Sequence, residues 1–340
     1  MRKALVIRLL LVLGFSCGLG AQSPGNLPAP KGTLRLARQT PIGALLPGIY
    51  RSATCADGTI AVVNGNGALV LVDTTGAAAS ITSHAAELQN AVGIACDEQN
   101  RLYIAASPAL VRVYTIAPRG EITLVNTLHV TGQRNRLLAV QSRLFVLGLA
   151  RVAGRFVFLL QYDLTTGDPV GPIDLDLSLS QAPPFNQFLL NGSLTWNPVL
   201  REVIYIPANP FQFWCISPSG ALLQVRQPNL THHVNADISG LPADSLRRGN
   251  AWDNMDWIYG SASFPDGRMV VQLKKGVRQA GEPAAHLEVF DSNFTLIADD
   301  VVSDAFSAPL IGADADGYLY FLQLDRAAGA TVFKARFSGQ

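Results

Sequence analysis

Side chains able to do chemistry concentrate in one stretch of the chain, Gln227–Ile258, which contains THHVNAD at 231–237 and NAWDNMDW at 250–257. Imidazoles and short carboxylates ligate divalent metals, so His232, His233, Asn235 and Asp237 are candidates for coordination. Successive residues of an extended segment point to opposite sides, and at most one of the two histidines therefore aims at any one site. Trp252 and Trp257, with Asp253 between them, suit the wall of a ligand pocket, where large rings supply contact area and the carboxylate supplies orientation. The structural alternative is a loop whose tryptophans pack on the rim of the domain. Lys274 and Lys275, followed by Arg278, offer cations to an acidic ligand or form an ordinary solvated loop. The D-x-D-G at 314–317 begins like a calcium loop, but the later oxygen ligands are missing, and an Asp-Gly turn explains it better. There is no G-x-S-x-G nucleophile elbow and no C-x-x-C metal or redox pair.

These residues need elements to hold them, and the chain supplies a repeating set. Ala91–Gly120 divides into three short apolar runs separated by polar turns, the pattern of an antiparallel meander. The pattern returns at Tyr50–Gly76, Leu137–Gly167, Ser193–Gly220, Tyr259–Asn293 and Pro309–Gly339, giving six units. Their turn residues Gly58, Asn100, Ser142, Arg201, Gly267 and Gly317 lie 42, 42, 59, 66 and 50 positions apart, a drift that fits loop insertions on a constant unit. The last unit stops one strand short of four. Gly32–Arg38 alternates Leu34 and Leu36 with polar neighbours, belongs to no hairpin of its own, and is the natural missing strand. Closing the ring in this way protects the sheet edges, whereas an open stack would need polar capping repeats that the sequence lacks. The predicted fold is all-β: a six-bladed β-propeller in residues 32–340, with Leu34 and Leu36 both buried in the last blade.

Ahead of the ring, Arg2, Lys3 and Arg8 with an apolar run to Phe15 and small residues at Gly18, Gly20 and Ala21 read as a secretory signal over residues 1–21. The run is too short to cross a bilayer comfortably. A mobile leader rich in Pro, Gly and Ser follows over 22–31. Removing the signal's three basic residues from 26 leaves 23 against 25 acidic ones, a near-neutral balance that argues against a nucleic-acid partner. With 49% hydrophobic and 15% charged residues the chain has ample material for a large core. Three cysteines lie beyond the signal. Cys55 and Cys96 occupy equivalent places in neighbouring units, which need not bring them within bonding distance, and all three are expected to be reduced and buried.

The segments Gly93–Ala105 (GIACDEQNRLYIA) and Val111–Gly120 (VRVYTIAPRG) resemble the NHL-type repeat of six-bladed propellers, a class that also takes in TolB-like rings. Cys55–Asn64 (CADGTIAVVN), Phe264–Leu273 (FPDGRMVVQL) and Ala313–Leu324 (ADADGYLYFLQL) are similar. Units three and four depart from the pattern, with Gln141–Ser142 and Pro198–Arg201 in place of Asp-Gly. The resemblance specifies turn chemistry and a blade, and carries no activity. Some six-bladed propellers are lactonase-like hydrolases with a divalent ion, calcium or similar, held by carboxylate and amide ligands in the channel. That resemblance implies Asn90, Asn191 and Asp256, which precede the inner strands of units two, four and five, as metal ligands.

Long insertions fall at Leu177–Leu190, Gln227–Ile258 and Lys274–Ala285, all on the face reached by connections between blades, and loops of such length are commonly functional. The reading that follows is an exported monomeric binding or scaffold protein, periplasmic or secreted, with no transmembrane segment. It takes a protein or small molecule on that face through His232, His233, Trp252, Asp253, Trp257, Lys274 and Lys275. A metal-dependent hydrolase or lyase is the rival.

Overall fold

The computed structural model describes residues 34–42, 50–107, 109–117, 120–132, 136–175, 192–208, 211–228, 256–276, 285–302, 308–325 and 329–337. Within them each repeat folds into one antiparallel sheet of four strands, and no helix occurs. The described residues begin with β1 (Leu34–Pro41). Blade one is β2 (Tyr50–Thr54), β3 (Ile60–Asn64), β4 (Leu69–Val72) and β5 (Ala78–Ile81). Blade two is β6 (Gly93–Cys96), β7 (Arg101–Ser107), β8 (Leu110–Ile116) and β9 (Ile122–His129). Blade three is β10 (Arg136–Val140), β11 (Arg143–Val152), β12 (Arg155–Asp163) and β13 (Pro169–Pro172). Blade four is β14 (Ser193–Asn197), β15 (Glu202–Ile206), β16 (Phe213–Ile216) and β17 (Leu222–Arg226). Blade five is β18 (Trp257–Ser263), β19 (Met269–Lys274), β20 (Ala285–Phe290) and β21 (Leu296–Val302). Blade six is β22 (Leu310–Ala313), β23 (Leu319–Asp325) and β24 (Gly329–Phe337), and β1 pairs antiparallel with β24 to complete it. The six-bladed ring predicted from the repeats is therefore the fold.

Local turn chemistry sets the strand boundaries. All six turn positions picked from the sequence have a left-handed backbone, from φ 56° at Arg201 to φ 85° at Gly267. The preceding Asp or Asn satisfies the amides of the turn. Asp97 Oδ1 accepts from the Gln99 and Arg101 N–H groups, and Asp314 Oδ1 from those of Asp316 and Tyr318. Blade four makes the same turn with Asn197, whose Oδ1 takes the Val199 and Leu200 amides. In blade three Gln141 and Ser142 are both left-handed and β10 pairs with β11 directly across them, a two-residue hairpin turn that needs no Asp. The departures in units three and four thus change the turn and keep the blade. The D-x-D-G at 314–317 is a turn, its Asp314 Oδ2 further occupied by Lys334 Nζ at 3.0 Å and the Tyr320 hydroxyl at 2.7 Å.

The core lies between blades. Second strands are buried on both faces, which is why they read as unbroken apolar runs: Ala61 and Val63 pack toward blade two, while Ile60 and Val62 pack toward blade six. Six such seams, one per pair of neighbours, close the ring, the last joining Tyr320, Leu322 and Val332 of blade six to β3 and β4. One expectation for β1 is corrected. Leu34 is buried against Ala335 and Phe337, but Leu36 is 49% exposed, because the pairing slips between Leu36 and Arg38 and Thr40 becomes the second inward residue.

The cysteine expectation is also overturned. Cys55 and Cys96 form a disulfide across a Cα separation of 5.0 Å, and only Cys215, buried, stays a free thiol among the described residues. Equivalent positions of adjacent repeats lie far apart at the rim of a ring. On the innermost strands, which converge on the axis, they lie within reach.

Candidate functional site

The first strand of every blade, β2, β6, β10, β14, β18 and β22, borders a central cavity of about 670 Å³. Crowding at the axis selects small and polar residues there, as in Ser52, Thr54, Ser193, Thr195, Ser261 and Ser263. Two glycines on the inner strands mark close approaches. A Cβ on Gly260 would stand 2.2 Å from the Leu310 carbonyl oxygen, and one on Gly312 would stand 2.1 Å from Thr54 Oγ1. Between blades four and five a hydroxyl seam crosses the wall, Ser261 Oγ donating to Ser193 Oγ at 2.8 Å.

The two ends of this channel differ. Strand direction alternates within a blade, so all first strands begin at one mouth, on the face of the between-blade connections, and end at the other among the tight turns. At the turn end stand the Cys55–Cys96 bridge and Asp97, whose Oδ2 holds Arg101 Nε at 2.7 Å and the Tyr103 hydroxyl at 2.9 Å. At the strand-start mouth stand two arginines that no sequence argument singled out. Arg51 on β2 donates from Nε to the Val92 carbonyl at 2.8 Å and from Nη1 to the Tyr50 carbonyl at 3.0 Å. Arg136 opens β10 and reaches the channel interior. Enclosure by the wall, followed by the like charge of Arg51, pushes the Arg136 pKa down to about 10. Arg136 is nonetheless exposed to the lumen, and with its pKa near 10 the group still carries its proton at neutral pH.

Tyr259 on β18 also faces this cavity, and Lys274 Nζ donates to its hydroxyl at 2.9 Å while sitting 4.9 Å from the ring centroid. Lys275 Nζ lies 3.1 Å from Asp256 Oδ2, and the Gly276 amide donates to Asp256 Oδ1 at 3.2 Å. Trp257, half-buried, begins β18 on the same face. One more feature reaches that face unannounced: the β11–β12 hairpin is the longest in the ring, turning at Ala153–Gly154, with Phe156 47% exposed and Arg151 6.0 Å above its ring.

Of the residues picked from the sequence, Trp257, Lys274, Lys275 and Asp256 come together at the mouth of blade five. Asn90 lies in the connection before β6 with its amide bonded to the Gly65 carbonyl at 2.7 Å, and neither Asn90 nor Asp256 lines the channel. His232, His233, Trp252, Asp253 and Asn191 fall outside the described residues. Among the described residues no three His, Cys, Asp or Glu side chains cluster as metal ligands. Arg51 and Arg136 had one legible signal, a basic residue at the start of a strand that otherwise reads as small and apolar.

No family model and no curated protein matches the chain. Solved structures do. A member of the DUF4221 family from Bacteroides vulgatus superposes with TM-score 0.54 at 11% identity, over 89% of this chain and 97% of that one. The hydrazine synthase of Kuenenia stuttgartiensis superposes with TM-score 0.50 at 14% identity, over 88% and 99%. At such identities the likeness concerns the fold alone.

Proposed function

We propose that this protein is an exported binding or scaffold propeller of the NHL-type class, which engages a small molecule or a segment of a partner at the strand-start mouth of its channel. One observation carries the reading. The mouth brings Arg136 and Tyr259 to the wall of a cavity of the size that small ligands occupy, with Trp257 and the Phe156 hairpin on the same face. The opposite end commits its polar groups to turns. The signal-like residues 1–21 and a disulfide, which persists in oxidising compartments, support export. For the metal-dependent alternative, the Asp256 carboxylate would have to release Lys275 and Gly276 before serving an ion.

Native mass spectrometry of the protein purified from the exported fraction tests the reading, with metal analysis alongside. A bound organic molecule is expected, retained in the parent and lost in Trp257→Ala while circular dichroism and the melt stay close to the parent's. A stoichiometric divalent ion that disappears in Asp256→Asn would instead establish the hydrolase or lyase reading. A ligand located on the tight-turn face would end the proposal.

A further inference from the structure

The contacts of other arginine side chains among the described residues set off the pair in the channel. Arg101, Arg143 and Arg268 each pair with a carboxylate. Arg38, Arg112 and Arg226 donate to a carbonyl or amide oxygen at the ring's outer parts, and Arg151 covers Phe156. Arg51 and Arg136 share one cavity, and no described carboxylate pairs with either. Arg51 is fixed by its two carbonyl acceptors, which leaves its Nη2 without a partner among the described residues. Arg136 makes no hydrogen bond or ion pair among them at all.

Two guanidinium groups near one another in a partly enclosed lumen repel, and neither escapes by losing a proton at neutral pH. Loss of hydration against the wall and the charge of Arg51 already hold the Arg136 pKa down to about 10, although the side chain is exposed to the lumen. The carboxylates that do border the cavity, Asp97, Glu98 and Asp314, stand at its far end, four residues along the inner strands, or about 13 Å. Asp97 and Asp314 are already paired with Arg101 and Lys334. What relieves the repulsion is an oxyanion, which a planar guanidinium binds with two parallel N–H donors. The rest of the wall offers neutral partners, Ser52, Ser193, Ser261 and the Tyr259 hydroxyl, for the polar remainder of such a molecule.

We propose that Arg51 and Arg136 form an oxyanion-binding site at the strand-start mouth, taking a small organic molecule through its carboxylate or phosphate group. This deepens the binding reading above and rests on it. Arg136 supplies the bidentate contact, and Arg51, held by Val92 and Tyr50, supplies a fixed second charge.

The test is a thermal melt and calorimetric titration of the full mature protein with inorganic phosphate and, separately, citrate, at constant ionic strength set with chloride. A saturable rise in Tm is expected for the anion whose geometry fits, and the two arms separate phosphate from carboxylate recognition. The rise should vanish in Arg136→Gln, fall several-fold in Arg51→Gln, and persist in Arg35→Gln on the outermost strand β1. Without added anion, Arg136→Gln should melt at or above the parent temperature, since it removes a repulsion. Should that variant fail to fold, Arg136→Lys keeps the charge and loses the fork, and is expected to retain a weakened shift. An equal shift in parent and Arg136→Gln, or none in the parent with either anion, would overturn the site. If a ligand found at the mouth binds Arg136→Gln as tightly as the parent, the oxyanion site falls while the binding reading stands.

Discussion

The two ends of the channel are built from the same six strands and use charge in opposite ways. At the turn end the two most connected carboxylates are answered: Asp97 by two amides, Arg101 and Tyr103, and Asp314 by two amides, Lys334 and Tyr320. At the strand-start end Arg136 goes unanswered among the described residues, and Arg51 is answered only by carbonyls. Satisfied polar groups at one end rigidify the ring, whereas the like charges of Arg51 and Arg136 at the other repel, a cost that folds tolerate where a site needs it. Substitutions should therefore behave differently at the two ends.

The largest effect belongs to the bridge. Replacing both Cys55 and Cys96 by serine frees a loop of 41 residues, and chain entropy sets the expected loss near 4 kcal/mol, or about 6 °C in Tm for a chain of this size. Melts with and without reductant, and intact mass before and after reduction, measure it. A reductant-insensitive melt would remove the covalent half of the comparison. Next comes Asp97→Ala, which strands the buried Tyr103 hydroxyl and two turn amides at a cost of about 2–3 kcal/mol, read by urea denaturation. Gly260→Ala probes the closeness of the inner strands. Its Cβ meets the backbone of Leu310 rather than a movable side chain, and about 1–3 kcal/mol is expected. A neutral Gly260→Ala would mean that β18 and β22 stand further apart than this approach requires.

The smallest effect concerns the remaining thiol. Burial first, then the Glu202 carboxylate, pushes the Cys215 pKa up to about 12. The unfolded thiol loses its proton near pH 8.5, so between that pH and about 12 the native state binds more protons and stability falls as pH rises, by about 1–2 kcal/mol at pH 10. The fall should be shallower in Cys215→Ala. Alkylation of the native protein at pH 8 should be slow and become complete in denaturant, and fast native labelling would place Cys215 outside the core.

Trp257, Lys274, Lys275 and Asp256 could be gathered from the sequence because they sit at the two open ends of one hairpin, β18–β19, in which Trp257 pairs with Lys274, and hairpin partners remain neighbours in the fold. Cys55 with Cys96, and Arg51 with Arg136, could not. Each pair joins separate blades, and its separation depends on how steeply the inner strands converge on the axis, which no run of apolar residues encodes.

What the sequence determined by itself is the set of local decisions. Asp, Asn and Gly at the turns impose a left-handed residue wherever Asp57–Gly58, Asp97–Asn100 or Asp266–Gly267 occur, and two-sided apolar runs such as Ile60–Val63 require a neighbour on each face. Six such units and one orphan strand leave little choice except a ring. The tertiary structure decided what depends on distance across that ring: which cysteines meet, that Leu36 turns outward at a bulge, and that two arginines 85 positions apart share one lumen. Turn geometry is fixed by bonds within a few residues, whereas closure of the ring sums small twists over the twenty-four strands of the described residues, and only the finished sum brings blades one, two and three to a common axis.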